Sequence, residues 1–452
     1  MKTIARTYFP GSTMLALFCL AGLCGNAGGE QQKVVYAKQG ALSAQSCIDS
    51  AGPGGVCILP AGYSEALTSS LTIRQEGQTL KCESGATLTK VSNGDLITVT
   101  ASGAVLTGCR LSDEHAAYDG SVIYAQNVKD LTVENNTIIG AKRFGIFLRS
   151  VVHANITNNK LQGCVNDSIY GDGNSSDIQI SSNTIDASSP IMWHHAIGLH
   201  SHDASSRVNQ VNIEGNHITN GYDYCVEVGA FGGLHPTDIE IVNNICTQKK
   251  VPGKPGGYSL DSVDGATLQG NSYINDSNGA SVLGIELVSG SYAKAISNIL
   301  VGGSITINKQ SFTNVDHNSI TIHSSADDQM VAIYSGSSRT VGNNHNQITN
   351  NTIQISASPA DKPAFGIWLQ CNADAIDCSN QVIQGNTIEA INGSKNPAIR
   401  IENDYPTTAR MNGIGIHGNS IKNWPHCYTQ SANGVQSEIS GNIEGCSSRF
   451  KN

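Results

Sequence analysis

The chain has 452 residues, of which 27 are Lys or Arg and 36 are Asp or Glu, a formal charge of −9. That balance excludes a protein held to nucleic acid or an anionic membrane by general electrostatic attraction. Only 14% of residues are charged and 48 are glycine, which excludes helical bundles and coiled coils, while 39% apolar residues are too many for a disordered chain.

The N-terminus has the layout of an export signal over 1–27: Lys2 and Arg6, an apolar run from Met14 to Leu23, then the small residues Gly25, Asn26 and Ala27. Leu23 before Cys24 and Phe18 before Cys19 are bulkier than lipid-attachment sites accept. A secreted chain of residues 28–452, extracellular or periplasmic, is expected. Beyond the signal no apolar run approaches the roughly 20 residues that span a bilayer, so no membrane span is expected. Removing Cys19 and Cys24 leaves 11 of the 13 cysteines, an odd number for an oxidising compartment. Cys47/Cys57, Cys371/Cys378 and Cys427/Cys446 are near enough in sequence to pair, and Cys164 is the candidate for the odd thiol.

Ser43 is placed to cap a short helix through Ala51, which with the rest of 34–62 would form an N-terminal cap over the open end of a stack of strands. Beyond this cap the chain is organised by a repeated turn: Asn135-Asn136-Thr137-Ile138, Asn158-Asn159-Lys160-Leu161, Ser182-Asn183-Thr184-Ile185, Gly215-Asn216-His217-Ile218 and Gly270-Asn271-Ser272-Tyr273. It continues through His317-Asn318, Asn350-Asn351, Gly385-Asn386 and Gly418-Asn419. Repeats spaced by roughly 20 to 50 residues mark solenoids. Short alternating strands such as Val211-Asn212-Ile213 lie between the turns, without helical periodicity. The pattern predicts an all-β, single-stranded parallel β-helix of about a dozen coils, one domain, with a C-terminal cap over 422–452. Its asparagines would occupy left-handed turn positions and hydrogen-bond from coil to coil. The N-x-Ser/Thr sequons are by-products of that ladder.

The segment Gly54-Gly55-Val56-Cys57-Ile58-Leu59-Pro60-Ala61-Gly62-Tyr63 resembles the entry segment of secreted right-handed β-helix carbohydrate enzymes, the pectin lyase-like superfamily. The architectural resemblance runs over most of 34–446. It implies a right-handed β-helix and a polysaccharide partner. The paired Asp, Gly-His-Gly and Arg-Ile-Lys signatures of polygalacturonases are missing, as is the Arg-x-Pro-x-x-Arg of pectate lyases, so no family's catalytic residues carry over.

One strand per coil has the form Gly-Ile-x-Leu, as in Gly145-Ile146-Phe147-Leu148, Gly284-Ile285-Glu286-Leu287 and Gly366-Ile367-Trp368-Leu369. Its apolar pair points inward and the residue between points to solvent. Coil by coil that outward column reads Ile123, Phe147, Tyr170, Gly198, Glu227, Asp261, Glu286, Thr306, Tyr334, Trp368, Arg400. A second column, two residues on, holds Arg149, Asp172, His200, Asn308, Gln370 and Glu402. Like charges stacked on adjacent strands are destabilising, so three consecutive acids, Glu227, Asp261 and Glu286, are candidate catalytic groups. Variable segments around 186–195, 200–210, 229–236 and 247–257 would wall a cleft, carrying the aromatics Trp193, Tyr222, Tyr224, Phe231 and Tyr258. Arg149, Tyr170, Asp172, His200, Tyr334, Trp368 and Arg400 are candidate substrate-binding residues. Alternate histidines such as His200 and His202, with His194 and His195 just before, suit zinc, but no third ligand is fixed by spacing and no metal is expected.

These residues fit a monomeric glycoside hydrolase, with one protonated acid at the glycosidic oxygen and a second carboxylate acting on water or the sugar carbon. A second reading is a polysaccharide lyase or uronate epimerase, in which the acids hold Ca²⁺ against a uronate carboxylate. A third is a non-catalytic carbohydrate-binding or cell-surface β-helix. Hydrolysis requires no cofactor, and no nucleic-acid partner is expected.

Overall fold

Alternating apolar residues decide how this chain folds, because a strand of period two must bury one face. In a computed structural model, residues 32–450 are described except 116–118, 188–194, 220–222, 249–255, 276–281, 324–329, 338–340, 357–362, 373–375, 392–393, 407 and 431–434. The signal-like segment and the residues Trp193, His194 and Tyr222 lie outside the described residues. The body from Lys33 onward is built of coils that each contribute three short strands. One coil runs Lys129–Glu134, Thr137–Ile139 and Phe144–Arg149, and the next runs Val152–Thr157, Lys160–Gln162 and Ile169–Asp172. Each strand pairs in parallel with its counterpart one coil on. Among the described residues, sixteen strands form the first ladder and the other 28 form a continuous sheet that carries the second and third ladders. The first ladder thus has more rungs than the dozen coils expected, because the early coils lack the asparagine turn that reveals the repeat.

The core is a set of apolar stacks running along the helix axis. Ile146, Leu148, Ile197, Leu199, Val226, Val228, Ile285, Leu287, Ile367 and Leu369 are all fully buried, as expected. Each such side chain contributes about 1.5–3 kcal/mol relative to exposure. The helix Ala44–Ala51, N-capped by Ser43 through the Ser46 N–H, lays Ala44, Cys47, Ile48 and Ala51 against the first coils. The entry segment Val56–Leu59 follows as a strand of the first ladder. Disulfides join Cys47–Cys57, Cys371–Cys378 and Cys427–Cys446 as expected, together with Cys82–Cys109 and Cys225–Cys246, and Cys164 is a buried free thiol.

The asparagine ladder is buried and continuous. Asn216 Oδ1 accepts from the Asn183 backbone N–H and side-chain amide (2.9 and 3.0 Å), while its own amide donates to Ile180 O and Asn244 Oδ1. The same pattern links Asn136, Asn159, Asn183, Asn216, Asn244, Asn271 and Asn298, and continues from Asn298 to Asn442. The left-handed position is not the ladder asparagine, as expected from sequence, but the residue before it: Asn135, Asn158, Ser182 and Asn350 have φ of 56°, 55°, 55° and 53°, and Gly215, Gly270 and Gly385 stand at equivalent turns. The turn has to occur one residue early so that the ladder side chain points inward. That explains why the preceding position holds Asn, Gly, Ser or His while the ladder position is invariant along these turns.

Candidate functional site

Strand register on the third ladder sets which side chains meet. The outward column is Tyr124, Phe147, Tyr170, Gly198, Glu227, Ser259, Glu286, Thr306, Tyr334, Trp368 and Arg400, each paired with the next. Two expected positions are corrected. Ile123 is fully buried and Tyr124 takes its place in the column. Asp261 is two residues out of the expected register: it pairs with Gly229 and Val288 in the second column, and Ser259 stands between Glu227 and Glu286. The reason is Tyr258, expected as a loop aromatic but fully buried, where it replaces the aliphatic residue of neighbouring coils. Its hydroxyl lies 3.0 Å from both Asn244 O and Ser272 O, which satisfies the polar end of a ring inside the core. The inward pair is therefore Tyr258 and Leu260, and three stacked acids do not occur.

Glu227 is the centre of what remains. It is 8% exposed, on the strand Tyr224–Ala230, and its Oε2 lies 2.7 Å from His195 Nε2 and 3.0 Å from His200 Nε2. Burial alone would push its carboxyl up, but the two imidazoles outweigh that and hold it at about 2. His195 is drawn down by burial and, more strongly, up by the bond to Glu227 and by Asp167, to about 9; burial pushes His200 down. His200 Nε2 lacks the alignment of a hydrogen bond despite its distance, and His195 Nδ1 is also buried without a hydrogen-bond partner. Asp167 sits behind this pair and accepts the His195 backbone N–H at 2.8 Å; burial pushes its carboxyl up to about 7. Gly198 makes room for it, since a Cβ there would lie 2.4 Å from Asp167 Oδ2.

On the other side of Ser259, Glu286 accepts a short hydrogen bond from the Tyr224 hydroxyl. Burial pushes Glu286 above the ordinary carboxylate range, and the charges of Asp261 and Glu227 push the same way, against that bond. Asp261 is likewise raised by burial, with Glu227 adding to it. Two carboxyls on one column, Glu227 and Glu286, are thus driven in opposite directions by their neighbours. They are separated by one intervening coil, roughly 10 Å of strand spacing.

Around them, the Tyr170 hydroxyl is 2.8 Å from His202 Nε2, and the Tyr170 ring stacks on Phe144 at 4.5 Å between centroids. Phe231, from the segment after this strand, packs edge-on against His200 and stacks on His202. Arg149 and Asp172 face each other one coil further back, at 3.9 Å, and burial raises Asp172. Tyr334, Trp368 and Arg400 form a separate group beyond Thr306. The Arg400 guanidinium lies 4.5 Å over Trp368 and pairs with Glu402, and the Tyr334 hydroxyl donates to Gln370. The candidates therefore fall into two groups, one around Glu227 and one around Trp368. Sequence reading missed His195 as a partner of Glu227, Asp167, and the Tyr224–Glu286 bond. The Gly198 gap in an otherwise bulky column was the available signal for Asp167. A cavity of about 260 Å³ lies on the first ladder, lined by Asp177, Gln210, Asn212, Asp238 and Glu240, a different face from these groups.

Residues 84–246 match the family described as right handed beta helix region. The chain folds as a right-handed parallel β-helix. The tailspike protein of E. coli bacteriophage HK620, in complex with a pentasaccharide, is similar in fold, with a TM-score of 0.53 and 14% identity over 90% of this chain and 73% of that one. The Azotobacter vinelandii mannuronan C-5 epimerase AlgE6 A-module aligns over 92% of both chains at 13% identity, with a TM-score of 0.35. A probable ABC transporter binding protein NosD of Pseudomonas aeruginosa is 30% identical over 87 residues. That match spans 19% of this chain and 20% of the relative's length. Among the described residues no helix is long and apolar enough to cross a membrane.

Proposed function

We propose that the protein is an exported glycoside hydrolase that cleaves a polysaccharide lying along the third-ladder face, with Glu286 as the acid and Glu227 as the carboxylate that acts on water. The observation that carries this is the divergence of two carboxyls on one column: Glu227 is held ionised between two imidazoles, while Glu286 is raised by burial and hydrogen-bonded to Tyr224. Opposite displacement of two neighbouring carboxyls is how one site keeps an acid and a base at the same pH. A separation of about two strand spacings suits inversion, where the carboxyls stand roughly 6.5–9.5 Å apart to admit water. Tyr170 and the rings about it offer faces for sugar stacking. The five disulfides among the described residues suit an oxidising compartment, in line with export.

The second reading, a lyase or epimerase, is favoured by one contact, the Tyr170 hydroxyl against His202 Nε2, a pair suited to moving a proton. Asp261 no longer adds a third acid to the column for Ca²⁺ in that reading. Purified protein assayed on a panel of neutral and uronate polysaccharides, with reducing ends and unsaturated products both recorded, separates the two. New reducing ends without ultraviolet absorbance, lost in Glu286→Gln, support hydrolysis. Unsaturated products, lost in Tyr170→Phe, overturn it in favour of the lyase.

A further inference from the structure

We infer that His195, His200 and Glu227 form a binding site for a single divalent cation of the zinc class, with an open position facing the third-ladder surface. The site is assigned from geometry: one ligand atom from each residue, all within 4.8 Å of one another, converge on a point beside the outward column. Two imidazole nitrogens and one carboxylate oxygen form a donor set that suits Zn²⁺ and does not suit Ca²⁺ or Mg²⁺, which take oxygen ligands. Three protein ligands with a vacant fourth position are the arrangement of catalytic zinc sites.

Three further observations point to a ligand. His200 is buried, and its Nε2 lies 3.0 Å from Glu227 Oε2 without the alignment of a hydrogen bond. A buried polar atom left this way costs about 1–3 kcal/mol, which a cation between the three groups would relieve. Tetrahedral zinc with bonds of about 2.0–2.1 Å separates its ligand atoms by roughly 3.3 Å, so the 2.7 and 3.0 Å contacts need to open by only a few tenths of an ångström. Asp167, packed behind Gly198 and hydrogen-bonded to the His195 backbone N–H, places a further carboxyl beside the site.

The inference deepens the hydrolase reading, because one ligand is the carboxylate assigned there to water. A zinc-class cation in the open site would polarise the same water. It stands apart from that reading experimentally, since binding is measured without substrate. Full-length mature protein, stripped with chelator and dialysed, is titrated with Zn²⁺ against a chromophoric chelator, and with Co²⁺ while recording visible absorbance. The expected result is one equivalent per chain and a cobalt spectrum of tetrahedral intensity. His200→Ala and Glu227→Gln should each weaken Zn²⁺ binding about a hundredfold, and Glu286→Gln should leave it within twofold. Circular dichroism and melting of each variant show that the fold is intact. Zn²⁺ uptake that is no tighter than in the His195→Ala/His200→Ala double variant overturns the site. A hydrolase reading that fails on polysaccharides leaves this titration unaffected.

Discussion

At the scale of single residues, the fold depends on side chains that satisfy several partners at once. Asn244 donates to Ile213 O and Asn271 Oδ1 and accepts from the Asn216 backbone and side chain. Asn244→Ala takes away the acceptor of the Asn216 backbone N–H inside the core and one of the partners of the Asn216 amide and of Ile213 O, and at about 1–3 kcal/mol for an orphaned buried group it should cost about 1–3 kcal/mol. Denaturant unfolding measures this, and a loss below about 1 kcal/mol would mean that water takes over the ladder. Glu227 and Glu286 give a second prediction, on rate. With Glu227 ionised down to about pH 2 and Glu286 raised, hydrolysis should show a single alkaline limb, falling as Glu286 loses its proton, and no acid limb between pH 4 and 6. Glu286→Gln should lower turnover at least about a hundredfold with unchanged melting, in line with general acid contributions. A profile with a steep acid limb in that range would assign the base elsewhere.

At the scale of strands and coils, sequence patterning was sufficient where side chains obeyed period two and failed where one residue took an unusual partner. The core pairs Ile146/Leu148 and Ile285/Leu287, the helix behind Ser43 and three of the disulfides were legible because each depends on local spacing alone. Register between Glu227 and Glu286 was not, because Tyr258 in an aliphatic row reads as a surface aromatic unless its hydroxyl is known to reach Asn244 O and Ser272 O. His195 was not legible as a partner of Glu227 for a similar reason: the contact joins neighbouring coils and no periodicity marks it. The same row makes a test of the coil. Tyr258→Phe keeps the ring but removes the single hydroxyl donor that Asn244 O and Ser272 O share, and should cost about 1 kcal/mol. Tyr258→Ala removes the ring and should cost about 3–5 kcal/mol. Loss of activity alongside stability in the second variant alone would show that this row holds Ser259 and its flanking acids in place.

For the whole molecule, stability follows from stacking, with each coil held by its neighbours and by covalent links along the chain. Cys82–Cys109 closes 27 residues and Cys225–Cys246 closes 21, each constraining the unfolded chain by about 3–4 kcal/mol in the loop-entropy view. The second lies immediately before Val226 and Glu227, so reduction should loosen the candidate site as well as lower the melting temperature. Cys164 reports on the intact core without perturbing it. It is buried and unpaired, and burial pushes its thiol up to about 11. At pH 8 a thiol of that pKa is more than a hundredfold less ionised than a free one near 8.5, and thiolate is the form that reacts. Labelling of the mature, unreduced protein with a thiol reagent should therefore give no adduct in native buffer and one in guanidinium. The linkage to stability has a definite sign: between about pH 8.5 and 11 the unfolded chain has lost a proton that the folded thiol retains, so stability falls as pH rises through that window. Cys164→Ala should flatten that decline whatever it does to the absolute melting temperature. An unchanged slope across pH 8.5 to 11, or rapid labelling of the native protein, would place Cys164 at the surface and require the coil around it to be rebuilt.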